Sequence, residues 1–167
     1  MKIALILFLL ASPALAQNKT DTTGALSACG PANVKFEVKP DQTQPLSEPP
    51  SGKALVYVIE DEVECLRAAP CTTIRIGLDG SWVGATHGNT HFSFSVLPGD
   101  HHLCSNWQSK PKDPSCFYSL ANFTAEAGKV YYFRARVWTR LDLDPVNSDE
   151  GRYLVATSPL VISLPKK

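Results

Sequence analysis

The dipeptide Asp79-Gly80 sits between two short segments of alternating apolar and polar residues, and it restricts the fold more than any other pair. Thr72-Thr73-Ile74-Arg75-Ile76-Gly77-Leu78 leads into it and Trp82-Val83-Gly84-Ala85 leads out. A type I′ turn needs φ > 0 at both central positions, which Asp-Gly tolerates, so this stretch predicts a β-hairpin. The same alternation of short strand and turn repeats over residues 53–138. Residues 54–59 are almost continuously apolar and read as a central strand. In His91-Phe92-Ser93-Phe94-Ser95-Val96, residues Phe92, Phe94 and Val96 share one face. Leu97-Pro98-Gly99-Asp100 predicts a turn before His101-His102-Leu103-Cys104. Residues 121–138 predict a further hairpin that turns at Glu126-Ala127-Gly128-Lys129. Its inward face is Tyr131, Phe133, Ala135 and Val137, with Tyr132, Arg134 and Arg136 opposite.

The flanks complete the plan. Residues 1–16 read as a signal peptide: Lys2 is the positive start, an apolar run follows, and Ala14-Leu15-Ala16 is the cleavage motif. Residues 17–28 are polar and read as disordered, and residues 29–167 as one domain. Val34, Phe36 and Val38 alternate with charged residues as a half-buried strand does. Residues 40–52, with Pro45, Pro49 and Pro50, form a Pro-rich connector. Ser148-Asp149-Glu150 ahead of Tyr153-Leu154-Val155 predicts a single helical turn, and residues 161–164 a last edge strand. About eight short strands without a long helical period define an all-β, antiparallel sandwich of immunoglobulin-like or transthyretin-like kind.

A formal net charge of +0 argues against a nucleic-acid surface. After the apolar run of the signal peptide, no stretch reaches the roughly 20 apolar residues of a transmembrane segment. The expected location is therefore the periplasm or the outside of the cell. An alternative is a lipid anchor, because Leu26-Ser27-Ala28-Cys29 has the pattern of a lipobox.

Five cysteines, Cys29, Cys65, Cys71, Cys104 and Cys116, point to disulfides in an oxidising compartment, with one thiol left over. Cys65 and Cys71 bracket a short loop and form the first expected bridge. Cys104 is placed to join either Cys116 or Cys29, which would leave Cys116 as the free thiol. No Cys-x-x-Cys pair favours a thiolate zinc site.

Candidate chemistry is thin. His87, His91, His101 and His102 fall within sixteen residues and offer imidazoles to zinc or copper, although adjacent His101 and His102 point to opposite faces of a strand. Residues 142–150 form an acidic stretch with Asp142 and Asp144 suited to calcium, but Asn147 stands where an EF-hand needs glycine. Asp100, His102 and Ser105 name a triad on paper that one strand cannot assemble. No Gly-x-Ser-x-Gly elbow, His-Glu-x-x-His or phosphate loop occurs, so neither enzyme nor cofactor is expected. Trp107, Trp82 and Tyr132 are the aromatic candidates for a ligand contact, with Trp107 placed in an irregular loop over residues 105–115. Trp82 and Trp138 also fit simple packing on the sheet. Asn122-Phe123-Thr124 matches the glycosylation sequon.

Three motifs in order carry a family likeness: Leu78-Asp79-Gly80-Ser81-Trp82-Val83-Gly84, Val96-Leu97-Pro98-Gly99-Asp100-His101, and Ala127-Gly128-Lys129-Val130-Tyr131-Tyr132. The succession resembles an exported bacterial family of unknown function that is similar to the PEGA module of surface proteins. Cys29-Gly30-Pro31, followed by Val34-Lys35-Phe36, resembles the opening of longer members. The resemblance implies a small exported or lipid-anchored β-sandwich, no catalytic residues, and a Cys29–Cys104 bridge. The expected work is non-catalytic binding to an envelope or extracellular protein or glycan, through edge strands or loops. A small metal-binding protein and an envelope lipoprotein anchored through Cys29 are the alternatives.

Overall fold

Strand β2 (Ala54–Glu60) is buried at all seven positions, because it is covered on both faces. The computed structural model describes residues 26–43, 48–61, 71–108 and 117–166. Around β2 the strands are β1 (Phe36–Pro40), β3 (Thr73–Leu78), β4 (Ser81–His87), β5 (His91–Val96) and β6 (Gly99–Trp107). They continue as β7 (Tyr118–Ala125), β8 (Val130–Val137), β9 (Leu141–Val146) and β10 (Val161–Pro165), with helix α1 (Ser148–Thr157) between the last two.

Two four-stranded sheets, ordered β5-β2-β8-β9 and β4-β3-β6-β7, face each other, and β1 pairs with β10 as a separate ribbon. Val56, Val58, Ile74, Ile76, Phe92, Leu103, Phe133 and Leu143 fill the space between the sheets. These are the inward positions that alternation marks. At about 25 cal/mol per Å² of apolar area, this layer is the main stabilising term. Among the described residues the fold is an all-β sandwich with one α-helix, and its paired strands are antiparallel except that β2 runs parallel to β8.

Asp79 (φ 49°) and Gly80 (φ 88°) both hold the left-handed conformation that the β3–β4 hairpin requires. Elsewhere the structure corrects the expectations. Glu126-Ala127-Gly128-Lys129 is a turn, with Lys129 N–H donating to Glu126 O at 3.2 Å, but it does not close a hairpin. Strand β7 belongs to one sheet and β8 to the other, so this turn carries the chain across the sandwich. The acidic stretch at Asp142 is not a loop: β9 pairs with β8, with Leu141 and Leu143 buried. Strand β6 runs on to Trp107, so residues 105–107 are not irregular. Leu26–Ala28 forms a 3-10 turn where disorder was expected.

Helix α1 is ten residues long rather than a single turn. Its cap is Asn147, whose side chain accepts from the N–H groups of Asp149 and Glu150 at 3.0 Å each. These two acids also complement the positive end of the helix dipole. Leu154 and Val155 pack on Leu55, Tyr57 and Ile59, so the helix roofs the outer face of β2.

The sheet edges each carry a contact from a neighbouring segment. Ala85 N–H of β4 donates to Ser163 Oγ of β10 at 3.1 Å. His91 N–H of β5 donates to Pro159 O at 3.0 Å. On the other side, Leu143 N–H of β9 donates to Ser119 Oγ of β7 at 3.1 Å.

Candidate functional site

The outer face of β3, β4 and β6 is crossed by residues 28–34, a strap that then continues into β1. Its centre is the Cys29–Cys104 disulfide, with the two Cα atoms 5.2 Å apart. Cys104 is fully buried beneath it. Cys104 pairs with Gly77 across the β3–β6 ladder, and only glycine fits there: a Cβ on Gly77 would stand 2.7 Å from the Ala28 carbonyl oxygen. A Cβ on Gly30 would in turn meet the Trp82 ring at 2.4 Å. The strap therefore lies on the sheet at backbone-contact distance.

The sheet holds the strap by donating to its carbonyls. Gly80 N–H donates to Ala28 O at 3.1 Å, and the Trp82 indole N–H to Pro31 O at 2.8 Å. Arg75, only 6% exposed, donates through Nη1 to Ala32 O at 3.2 Å and also to Val34 O. Its Nε and Nη2 both reach Asn106 Oδ1, the former at 2.9 Å. The guanidinium carbon stands 4.3 Å from the centre of the Trp82 ring. Burial pulls the Arg75 pKa below its ordinary value, yet a guanidinium stays charged. The result is a cation satisfied by carbonyl and amide oxygens and an aromatic face. Gln108 extends the pattern, its amide accepting from Phe36 N–H and donating to Phe36 O at 2.9 Å.

The aromatic candidates sort differently from expectation. Trp82 is bound into this groove as described. Tyr132 is stacked on Tyr57 with ring centres 5.3 Å apart and lies beneath helix α1. Trp107 ends β6 rather than sitting in a loop, and packs edge-on against Phe117 at 4.9 Å. The exposed indole is instead that of Trp138, which is 77% exposed rather than packed on the sheet. It stands at the β8–β9 turn, where Trp138 N–H donates to Arg140 O at 3.1 Å. Two ion pairs brace that hairpin, Arg140–Asp142 at 2.8 Å and Arg136–Asp144 at 3.7 Å. Asp142 and Asp144, read from sequence as cation ligands, are thus ion-paired to arginine. A signal for Trp138 was present in the sequence: it directly follows the inward set of β8, where alternation ends.

The four histidines do not converge. His87 Nδ1 meets Thr73 Oγ1 at 2.9 Å, and His102 Nδ1 meets Asn122 Oδ1 at 2.8 Å. His101 Nδ1 lies 2.7 Å from Asp79 Oδ2, and its Nε2 lies 2.8 Å from Leu97 O. Burial opposes charge on His101, but these two acceptors and the Asp79 carboxylate outweigh it and raise its pKa. His91 is buried beside Tyr57, with Nδ1 2.9 Å from Ser158 Oγ. Burial pushes its pKa down, against the partial help of Ser158. Among the described residues no group of three His, Cys, Asp or Glu side chains is arranged to hold a metal ion. The four histidines named from the sequence each meet a different partner instead. The paper triad dissolves likewise: Asp100 accepts from Thr124, His102 meets Asn122, and Ser105 Oγ donates to Ser119 O.

Cys71 is disulfide-bonded. Cys65 and Cys116 lie outside the described residues, as do the proposed cleavage motif and residues 1–25 generally. The Cys29 sulfur is bonded to Cys104, the atom that a thioether-linked lipid would need. Among the described residues no helix is long and apolar enough to cross a membrane. Comparison of the chain with family models, curated proteins and solved structures finds no match.

Proposed function

We propose that this chain is an exported, non-catalytic β-sandwich module of PEGA-like kind, which binds a protein or glycan at the bacterial cell envelope or outside the cell. The carrying observation is Trp138: a large amphipathic ring held 77% in solvent on an ion-paired hairpin. Exposing an indole in this way has a cost in water that contact with a partner removes, and aromatic anchors of this kind dominate binding energies. The Cys29–Cys104 bridge supports export, because such bonds persist in oxidising compartments.

The test places a photoreactive phenylalanine at position 138 in the exported protein and irradiates intact cells. An adduct at this position, absent when the same residue replaces Tyr153 on helix α1, supports the reading. Equal labelling at both positions, or none at 138, refutes the hairpin as the contact.

A further inference from the structure

The β8–β9 hairpin sorts its side chains by face. Phe133, Ala135, Val137, Leu141 and Leu143 all pack in or against the core. Alternation therefore turns Arg136, Asp142 and Asp144 outward, and the exposed Trp138 follows Arg136 onto that face. The charges around the indole cancel: Arg140 holds Asp142 at 2.8 Å, and Arg136 holds Asp144 at 3.7 Å. Among the described residues no ring or cation stacks on Trp138, so its π-face is open to a ligand.

These surroundings select the kind of occupant. A protein hot spot sits among apolar neighbours that exclude water from it. Trp138 lacks that setting: the other large exposed apolar side chains among the described residues, such as Leu97, Tyr153 and Ile162, stand on other elements and none on this hairpin. A charged partner needs an unanswered charge, and here each arginine is matched by an aspartate. We propose, resting on the reading of Trp138 given above, that the hairpin binds a neutral glycan.

A pyranose ring has a face of C–H groups, whose partial positive charge suits the electron-rich face of an indole. Its rim carries hydroxyls that both donate and accept. An exposed Arg–Asp pair offers donors and acceptors side by side. Such a pair gains little net energy in water, so hydroxyls compete for its atoms at small cost. The indole thus supplies the stacking surface, while Arg140–Asp142 and Arg136–Asp144 supply the partners for the hydroxyls.

The test puts a photoreactive phenylalanine in place of Thr139, an exposed turn residue beside the indole, in the exported full-length chain. Intact cells are irradiated, and mass spectrometry reads the peptide that carries position 139. The proposal expects an added mass of hexose or N-acetylhexosamine units that periodate oxidation destroys. Trp138→Ala in the same chain should lower its yield about tenfold, since the ring supplies most of the contact. Raising the salt to about 0.5 M, which screens exposed charges, should leave the yield unchanged. A peptide adduct overturns the glycan and leaves the hairpin standing as a protein contact. A sugar adduct that salt removes, or that survives Trp138→Ala, overturns the neutral, stacked ligand. No adduct at either position 139 or position 138 overturns this inference together with the reading it rests on.

Discussion

Gly151 of helix α1 lies directly on the ring of Tyr132: a Cβ at that position would stand 2.2 Å from Tyr132 Cγ. Glycine costs a helix interior about 1 kcal/mol relative to alanine, so its presence here reflects packing. It lets the helix axis approach β8 closely enough for Leu154 and Val155 to cover Leu55, Tyr57 and Ile59. Gly151→Ala should therefore destabilise the protein despite the better helix former, by about 1–3 kcal/mol, since the helix must lift from the sheet. Chemical denaturation measures this. A stabilised variant would mean that the helix accommodates a methyl group without moving.

The buried Arg75 guanidinium supplies a second expectation. Arg75→Met leaves Ala32 O, Val34 O and Asn106 Oδ1 without their donor beneath the strap. Hydrogen bonds to charged groups contribute about 1.5–3 kcal/mol, so the loss should fall in the range of about 2–4 kcal/mol. Arg75→Lys should recover less than half, because one ammonium cannot span both Asn106 and the strap carbonyls as a planar fork does. Urea midpoints for the three proteins decide it. Equal stability of the lysine variant would show that charge alone matters.

The sequence made some of this legible and hid the rest for identifiable reasons. Alternation exposed β3 and β5, and Asp79-Gly80 exposed the hairpin between β3 and β4, because each is set by neighbours in sequence. Strand β6 faded after Cys104 because Cys104, Ser105 and Asn106 are all buried, one under the strap and two in polar partnerships, so no alternation survives. Strand β9 was masked by Asp142 and Asp144; the partner of Asp144, Arg136, lies across the hairpin on β8, and that of Asp142, Arg140, just ahead of the strand. The Glu126–Lys129 turn has the residues of a hairpin, but turn chemistry does not say which sheet the next strand joins. Gly151 broke the helical pattern for a reason that lies on Tyr132. The Cys29–Cys104 bridge at the centre of the strap was named only through the family resemblance, and the hydrogen bonds around it were invisible, since their donors and acceptors stand 41 to 72 residues apart.

His91 sets a pH dependence. Ser158 Oγ donates to Leu154 O at 2.7 Å, so the His91 Nδ1–H is the donor to Ser158 and Nε2 carries the lone pair. Nε2 is buried without a hydrogen-bond partner among the described residues, and protonating it strands a charged N–H. The folded pKa is lowered, so the unfolded chain binds this proton first as pH falls. Stability is then full above about 6.5, the ordinary histidine value, and declines below it towards the depressed folded value. His101, raised by Asp79, acts in the opposite sense: its contribution is full below about 6.5 and is lost as pH rises through its folded value. His91→Gln should remove the acid-side decline and leave the alkaline one. Melting temperatures from pH 5 to pH 8 test this, and an unchanged acid limb would assign it to other groups.

Trp82 and Trp138 should separate structure from surface in one experiment. Trp82→Phe removes the N–H that Pro31 accepts and weakens the ring facing Arg75, at a cost of about 1–2 kcal/mol. Its effect should grow when Cys29–Cys104 is reduced, because the strap then depends on its hydrogen bonds alone. The bridge closes a loop with a sequence separation of 75, and in the chain-entropy account such a loop contributes about 4 kcal/mol. Trp138→Ala, by contrast, removes a ring that is mostly in water and should change stability by less than about 0.5 kcal/mol, oxidised or reduced. Thermal melts of both variants, with and without reductant, read the difference. If Trp138→Ala proved as destabilising as Trp82→Phe, the β8–β9 tip would be a packing element, and its exposed indole would no longer serve as evidence for a partner.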